Sequence, residues 1–179
     1  MDRLHVLTGG PGGGKTTLVE RLAALGYATT PEAGRAILRD QAAIGGPLRP
    51  EVDPVAFLEA ILQWELRSYR WAAATEGPVF LDRGVPDVAG AYRQLGRPVP
   101  AHVTAAVAAF RYAPAVFVAP PWPDIYVHDE ERKHSWESAV RTYEVMVEAY
   151  GAAGYELVEL PRMPVEDRVA FVLDAVGLA

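Results

Sequence analysis

The sequence contains no cysteine, so no disulfide framework can brace the fold. No apolar run approaches the roughly 20 residues of a membrane span, and no charged and apolar leader precedes the first strand-like segment. A soluble, cytoplasmic protein without a membrane partner is therefore expected. Positive charge is scarce as well. Lysine and arginine number 17 against 23 acidic residues, a net charge of −6, which excludes the clustered cations that general nucleic-acid binding requires. The four histidines show no ligand spacing, so no transition-metal centre is expected. Repeats and low-complexity tracts are absent, and no segment marks a protein partner. At 179 residues the chain suits one domain, residues 1–179.

Lysine itself is nearly missing, with Lys15 and Lys133 alone among the basic residues. Lys15 ends the most informative stretch. An apolar segment, Leu4 to Leu7, leads through Thr8 into Gly9, Gly10, Pro11, Gly12, Gly13, Gly14, Lys15, Thr16 and Thr17. Gly9, four residues, Gly14, Lys15 and Thr16 satisfy the phosphate-loop pattern. Glycine lets successive backbone N–H groups converge on a phosphate, and the helix that follows directs its unpaired N–H groups at the same anion. Lys15 supplies a compact charge to the β- and γ-phosphates, and Thr16 offers a hydroxyl to Mg²⁺. Residues 10–17 are the expected nucleotide cradle.

Strand and helix patterns alternate along the rest of the chain. Leu18, Leu22 and Leu25 form a helical stripe, and Tyr27–Thr30 reads as a second strand. Glu32 to Arg35 open another helix, and Gly45, Gly46 and Pro47 stop it. Asp53 as N-cap and Pro54 start a long helix to about Thr75. One of its faces carries Leu58, Ile61, Leu62, Leu66 and Tyr69, a second stripe carries Phe57, Trp64 and Trp71, and Glu65 projects from the first apolar face. A buried arginine partner is the favoured reading for Glu65; a polar cleft is the other. Val79–Leu81 suits a strand buried on both faces, with Asp82 at its carboxyl end. Helices follow near 85–95 and 101–111, then a strand at 115–119, a helix at about 135–150, a strand at 156–160, and a helix striped by Val165, Val169, Val172 and Val176. Such alternation predicts a three-layer α/β fold around a five-stranded parallel sheet. Ligands of such folds collect at the carboxyl ends of the strands.

A phosphate loop alone does not specify a reaction. Asp82 is followed by Arg83, where a motor ATPase would carry a second carboxylate to activate water, and no Asn-Lys-x-Asp element marks a GTPase switch. The Asp-Arg pair resembles that of small P-loop kinases such as thymidylate kinase. More narrowly, the glycine loop, Glu32-Ala33-Gly34-Arg35, Leu81-Asp82-Arg83-Gly84 with Asp87, Pro120-Pro121-Trp122 and Glu130-Glu131-Arg132-Lys133 resemble a family of small AAA-type domains. That family includes the kinase part of bacterial ribosylnicotinamide kinases and the TRPL translocation defect protein, and the likeness spans nearly the whole chain. The kinase resemblance implies a sheet order of 2-3-1-4-5.

The resemblance also implies roles. A lid at about 123–135 closes basic residues over the transferring phosphate, with Arg132 the best match and Lys133 and Arg141 as alternates. Asp82 holds Mg²⁺ or orients the acceptor, and Arg83 binds an acceptor phosphate or the γ-phosphate. Glu32, Arg35 and Asp87 face the acceptor, and either Glu32 or Asp82 is the base. Arg162 and Met163 lie against the nucleotide base. The implied activity is Mg²⁺-dependent transfer of the γ-phosphate of ATP, with GTP as another possible donor, to a small-molecule acceptor. The rival reading is a nucleotide-binding or nucleotide-hydrolysing regulatory module with no acceptor.

Overall fold

Val79, Phe80 and Leu81 are all fully buried, which an extended segment achieves only when helices cover both faces of its sheet, because successive side chains point to opposite sides. The computed structural model describes residues 2–126 and 135–178. Its strands are β1 (Leu4–Gly9), β2 (Ala28–Thr30), β3 (Val79–Asp82), β4 (Ala115–Ala119) and β5 (Glu156–Glu159). Its helices are α1 (Lys15–Ala24), α2 (Ala33–Ile44), α3 (Pro54–Ala74), α4 (Val85–Gln94), α5 (Ala101–Ala109), α6 (Trp136–Ala152) and α7 (Val165–Ala175). All strand pairs are parallel and the order is β2-β3-β1-β4-β5, as the kinase resemblance implies.

Two cores result from the alternation. On one face Leu4, Val6, Val79, Leu81 and Val116 meet Leu58, Leu62 and Tyr69 of α3, Val88 and Tyr92 of α4, and Tyr150 of α6. On the other, Leu7, Phe80 and Phe117 meet Leu18, Val19 and Leu22 of α1 and Val169 and Val172 of α7. The registers Leu7↔Asp82 and Gly9↔Ala119 bring the phosphate loop beside the carboxyl ends of β3 and β4. No helix among the described residues is long and apolar enough to cross a membrane.

Helix boundaries follow local chemistry. Asp53 caps α3 by accepting from the Ala56 N–H at 2.9 Å, with Pro54 at the first helical position. Ser135 caps α6 in the same way through the Ser138 N–H at 3.2 Å. Two stripe positions differ from expectation. Leu25 is 48% exposed because α1 ends at Ala24, so the chain turns before its seventh-residue partner reaches the core. Trp71 is likewise 48% exposed, since α3 there flanks the edge strand β2, beyond which no strand follows among the described residues. Trp64 is half-buried, and of the second stripe Phe57 alone is fully covered.

Arg3, just before β1, ties the end of α3 to the sheet. Its guanidinium donates to the carbonyls of Ala72 at 3.1 Å, Ala73 at 2.6 Å and Gly77 at 3.2 Å, and to that of Thr75. These include carbonyls that the helix terminus leaves without an internal partner. Arg3→Ala is expected to lower unfolding stability by about 1–3 kcal/mol, read as a lower urea midpoint at unchanged slope.

Candidate nucleotide and acceptor site

The glycine loop joins the end of β1 to the start of α1. Gly14 occupies the N-cap of α1 in the left-handed region, φ 73°, where a side chain would be strained. At Gly10 a Cβ would stand 2.3 Å from the carbonyl oxygen of Ala139, so α6 lies directly on the loop. Lys15 is buried, and its ammonium donates to the carbonyls of Gly10 at 2.6 Å and Gly9 at 3.2 Å. Burial first, then the nearby Arg83, lowers its pKa to about 8 against the opposing pull of Asp82, Glu32 and Asp87. Thr16 is half-buried at the helix start, while Thr17 is exposed.

Arg83 is the junction of the cleft. It takes a positive φ of 81°, the one such value at a non-glycine residue among those described. Two ion pairs hold it there, Nε to Glu32 Oε1 at 3.2 Å and Nη1 to Asp87 Oδ1 at 2.9 Å. Glu32 also accepts from the half-exposed Arg35, Nε to Oε2 at 3.0 Å. Burial would raise the Glu32 carboxyl, but Arg83, Lys15 and Arg35 outweigh it and hold it below the usual carboxylate range.

Asp87 is engaged within the protein through both oxygens. Its Oδ1 accepts from Thr8 Oγ1 at 2.7 Å as well as from Arg83, and its Oδ2 accepts from the Tyr150 hydroxyl at 2.6 Å and the Gly84 N–H at 3.0 Å. Four donors saturate a carboxylate, so no lone pair is left for an acceptor. Asp87 is a buried joint between β1, α4 and α6. Arg83, with both carboxylates around it, is likewise committed within the protein.

Glu65 also differs from the favoured reading. It is 2% exposed, yet it makes no ion pair among the described residues. Burial, then the Asp87 charge, pushes its carboxyl well above the ordinary range, and Arg83 offsets this in part. It therefore belongs to the cleft side of α3, the other reading of its position. Asp82 stands at the end of β3, buried, with Oδ1 lacking a hydrogen-bond partner among the described residues. Burial raises its pKa to about 6, with Lys15 opposing. A buried carboxylate oxygen without a donor, next to a phosphate loop with a hydroxyl at Thr16, fits a hard cation such as Mg²⁺. Among the described residues no cluster of histidine and acidic side chains forms a metal site of its own.

On the far side of the loop lies a cavity of about 300 Å³ lined by Gly12, Gly14, Thr17, Trp122, Met163 and Arg168, among others. Met163, expected near the base, is on this lining; Arg162 instead donates to the Pro121 carbonyl at 3.1 Å and braces the loop after β4. Arg168 was missed from the sequence. It is 3% exposed on α7 and donates to the carbonyls of Gly13 at 3.0 Å and Gly14 at 3.5 Å. The signal was available: position 168 falls between Val165 and Val172 on the inward stripe, where a solvated arginine would not belong. Arg132, Lys133 and the central part of the expected lid lie outside the described residues.

A family model described as an AAA domain matches residues 4–168. No curated protein matches the chain. Among solved structures, the NadR protein in complex with NR superposes with a TM-score of 0.72 at 19% identity, covering 98% of this chain and 51% of that one. NadR with NAD and AMP-PNP gives 0.69 at 17% identity over 99% and 50%. Deoxyadenosine kinase from M. mycoides, with dCMP and dCDP bound, gives 0.67 at 13% identity over 98% of this chain and 100% of its own. The chain thus spans about half the length of the NadR chains, and the likeness is one of fold.

Two predictions follow from the charge layout. The unfolded chain keeps the Lys15 proton up to its ordinary pKa of 10.5, whereas the folded chain releases it near 8, so this group adds stability as pH rises between those values. A bound triphosphate is expected to restore the charge. At about pH 9, ATP or GTP binding is therefore expected to take up close to one proton, measured by calorimetry in buffers of different ionisation enthalpy; Lys15→Ala abolishes the uptake and most of the affinity. Asp87→Ala, which strands Arg83, Thr8 and Tyr150, is expected to cost about 3–5 kcal/mol in denaturant unfolding, and Tyr150→Phe about 1 kcal/mol.

Proposed function

Because the chain belongs to the AAA domain family whose model spans residues 4–168, we propose that it is a kinase moving the γ-phosphoryl group of ATP, or of GTP, to a hydroxyl or phosphate oxygen of a small acceptor. The observation that carries this reading is the cleft at the carboxyl ends of β1, β2 and β3, where Lys15, Glu32, Asp82 and Arg83 act on one another electrostatically. The named activity of deoxyadenosine kinase, which shares the fold over its full length, supports the reaction class.

The loop N–H groups and Lys15 hold the β- and γ-phosphates, and Thr16 and Asp82 would hold Mg²⁺, which neutralises phosphate charge when bound. Glu32 stays ionised and lies where the acceptor enters, so it orients the acceptor oxygen and, where that oxygen is a hydroxyl, takes its proton. The acceptor oxygen then bonds to phosphorus as the bond to the β–γ bridging oxygen breaks, leaving the diphosphate. Arg83 fixes Glu32 in place and puts a cation, a poor base for water, where hydrolytic relatives of this loop carry a carboxylate.

Turnover across a library of nucleosides, nucleotides and other small hydroxyl compounds tests the proposal. A phosphorylated product is expected to form at least about tenfold faster than nucleotide is hydrolysed without acceptor, and Asp82→Asn is expected to reduce transfer about 10²-fold or more while triphosphate binding survives. Fast hydrolysis with no product from any acceptor would replace this reading with the regulatory nucleotide-hydrolysing module.

A further inference from the structure

Ile44 at 75% and Val52 at 67% are the most exposed large apolar residues among those described, and they stand at the two ends of the loop that joins α2 to α3. Leu38 and Trp71, on the two helices so joined, are exposed as well, so this flank presents apolar surface that the fold leaves uncovered. The loop itself is tied down. The Leu48 N–H donates to Gln41 Oε1 at 3.1 Å, the Val52 and Asp53 N–H groups both donate to the Arg49 carbonyl at 3.1 Å, and Pro47 and Pro50 restrict the backbone. A tip held in this way presents Glu51 and Val52 with little freedom left to lose on binding.

Further along α3, a groove of about 360 Å³ lies between the helix and the edge strand β2, lined by Thr30, Pro31, Trp64, Arg67 and Trp71, among others. Lys15, Glu32, Asp82 and Arg83 are not on its lining, so it is separate from the cleft. The Arg67 guanidinium carbon sits 5.8 Å from the centroid of the Trp64 ring, a contact that leaves its charge without a counter-ion. Neither Arg67 nor Glu51 belongs to an ion pair among the described residues. An unpaired cation between two tryptophans and an unpaired acid beside an exposed valine are complementary surfaces.

The helix keeps these two surfaces apart within one chain. At 1.5 Å per residue, Trp64 and Trp71 lie about 16 and 27 Å along α3 from its cap at Asp53. Ala60, Trp64, Arg67 and Trp71 follow at i, i+4, i+7 and i+11, so they share one side of the helix, and Ala60 is midway between tip and groove. A two-fold axis beside Ala60 sets α3 antiparallel to its copy and brings each tip onto the other groove, so that every contact is made twice. We propose that this flank docks a second copy of the chain, with Val52 and Ile44 packed against Trp71 and Trp64 and Glu51 paired with Arg67. The chain itself carries the occupant that the groove fits, apolar and acidic at a fixed tip.

Analytical ultracentrifugation of the full chain from about 1 to 100 μM tests the proposal. A dimer is expected with a Kd at or below about 10 μM. Val52→Asp and Trp71→Ala, both at exposed positions, are each expected to raise that Kd at least about tenfold. Arg67→Glu and Glu51→Arg should each do the same, and the double variant, which exchanges the two charges, should return to within about threefold of the parent. Hydrogen exchange of the unaltered chain supplies an independent reading: residues 45–53 and 64–71 should gain protection together as concentration rises. A chain that stays monomeric at about 100 μM, as it would if the groove served a foreign chain or a small molecule, overturns the proposal. So does a dimer whose Kd moves less than about threefold in Val52→Asp and Trp71→Ala, a charge exchange no tighter than its single variants, or protection at neither segment.

Discussion

The Asp87 carboxylate is the contact on which the cleft depends. It is buried, and a buried carboxylate is tolerable only when its lone pairs are met; here Thr8, Arg83, Gly84 and Tyr150 meet all four. Those donors come from β1, from the turn after β3, and from α6. Satisfying one charge therefore fixes the strand that carries the phosphate loop, the turn that carries Arg83, and the helix that lies against Gly10. The positive φ of Arg83 is sustained by the same arrangement, since its side chain can reach both Asp87 and Glu32 from that backbone conformation.

From this joint the cleft acquires graded acidity. Glu32 is held low by three cations, Asp82 is raised to about 6 by burial, and burial also raises Glu65, which no cation pairs among the described residues. Environments that push neighbouring carboxyls apart allow one to stay charged and receive a proton while another stays available to a cation or stays neutral. Lys15, lowered to about 8, is the counterpart on the phosphate side: it rests on loop carbonyls that a bound phosphate would replace with a stronger partner.

Much of this was legible in the chain because the signals are local. The glycine loop dictates a backbone, Asp53 with Pro54 dictates a helix start, and an uninterrupted Val79–Leu81 run dictates a strand covered on both faces. The misreadings share a cause. The four donors that meet Asp87 are contributed by residues as far apart as Thr8 and Tyr150, which sequence spacing does not reveal. Glu65 looked like half of an ion pair because a lone acid on an apolar stripe usually is one; that Arg83 would instead turn to Glu32 and Asp87 is decided across three elements. Arg168 sat in view on an inward stripe, and its target, two carbonyls more than 150 residues away, did not.

The sequence by itself determined the layered α/β class, the phosphate cradle and the acid at the end of β3, since each follows from short-range backbone geometry and the period of apolar residues. The tertiary structure alone decided which charges are spent within the protein and which remain for a ligand. That partition depends on which side chains come within about 3 Å of one another after the strands align, and on how much water their burial removes, neither of which is encoded in any one stretch of chain.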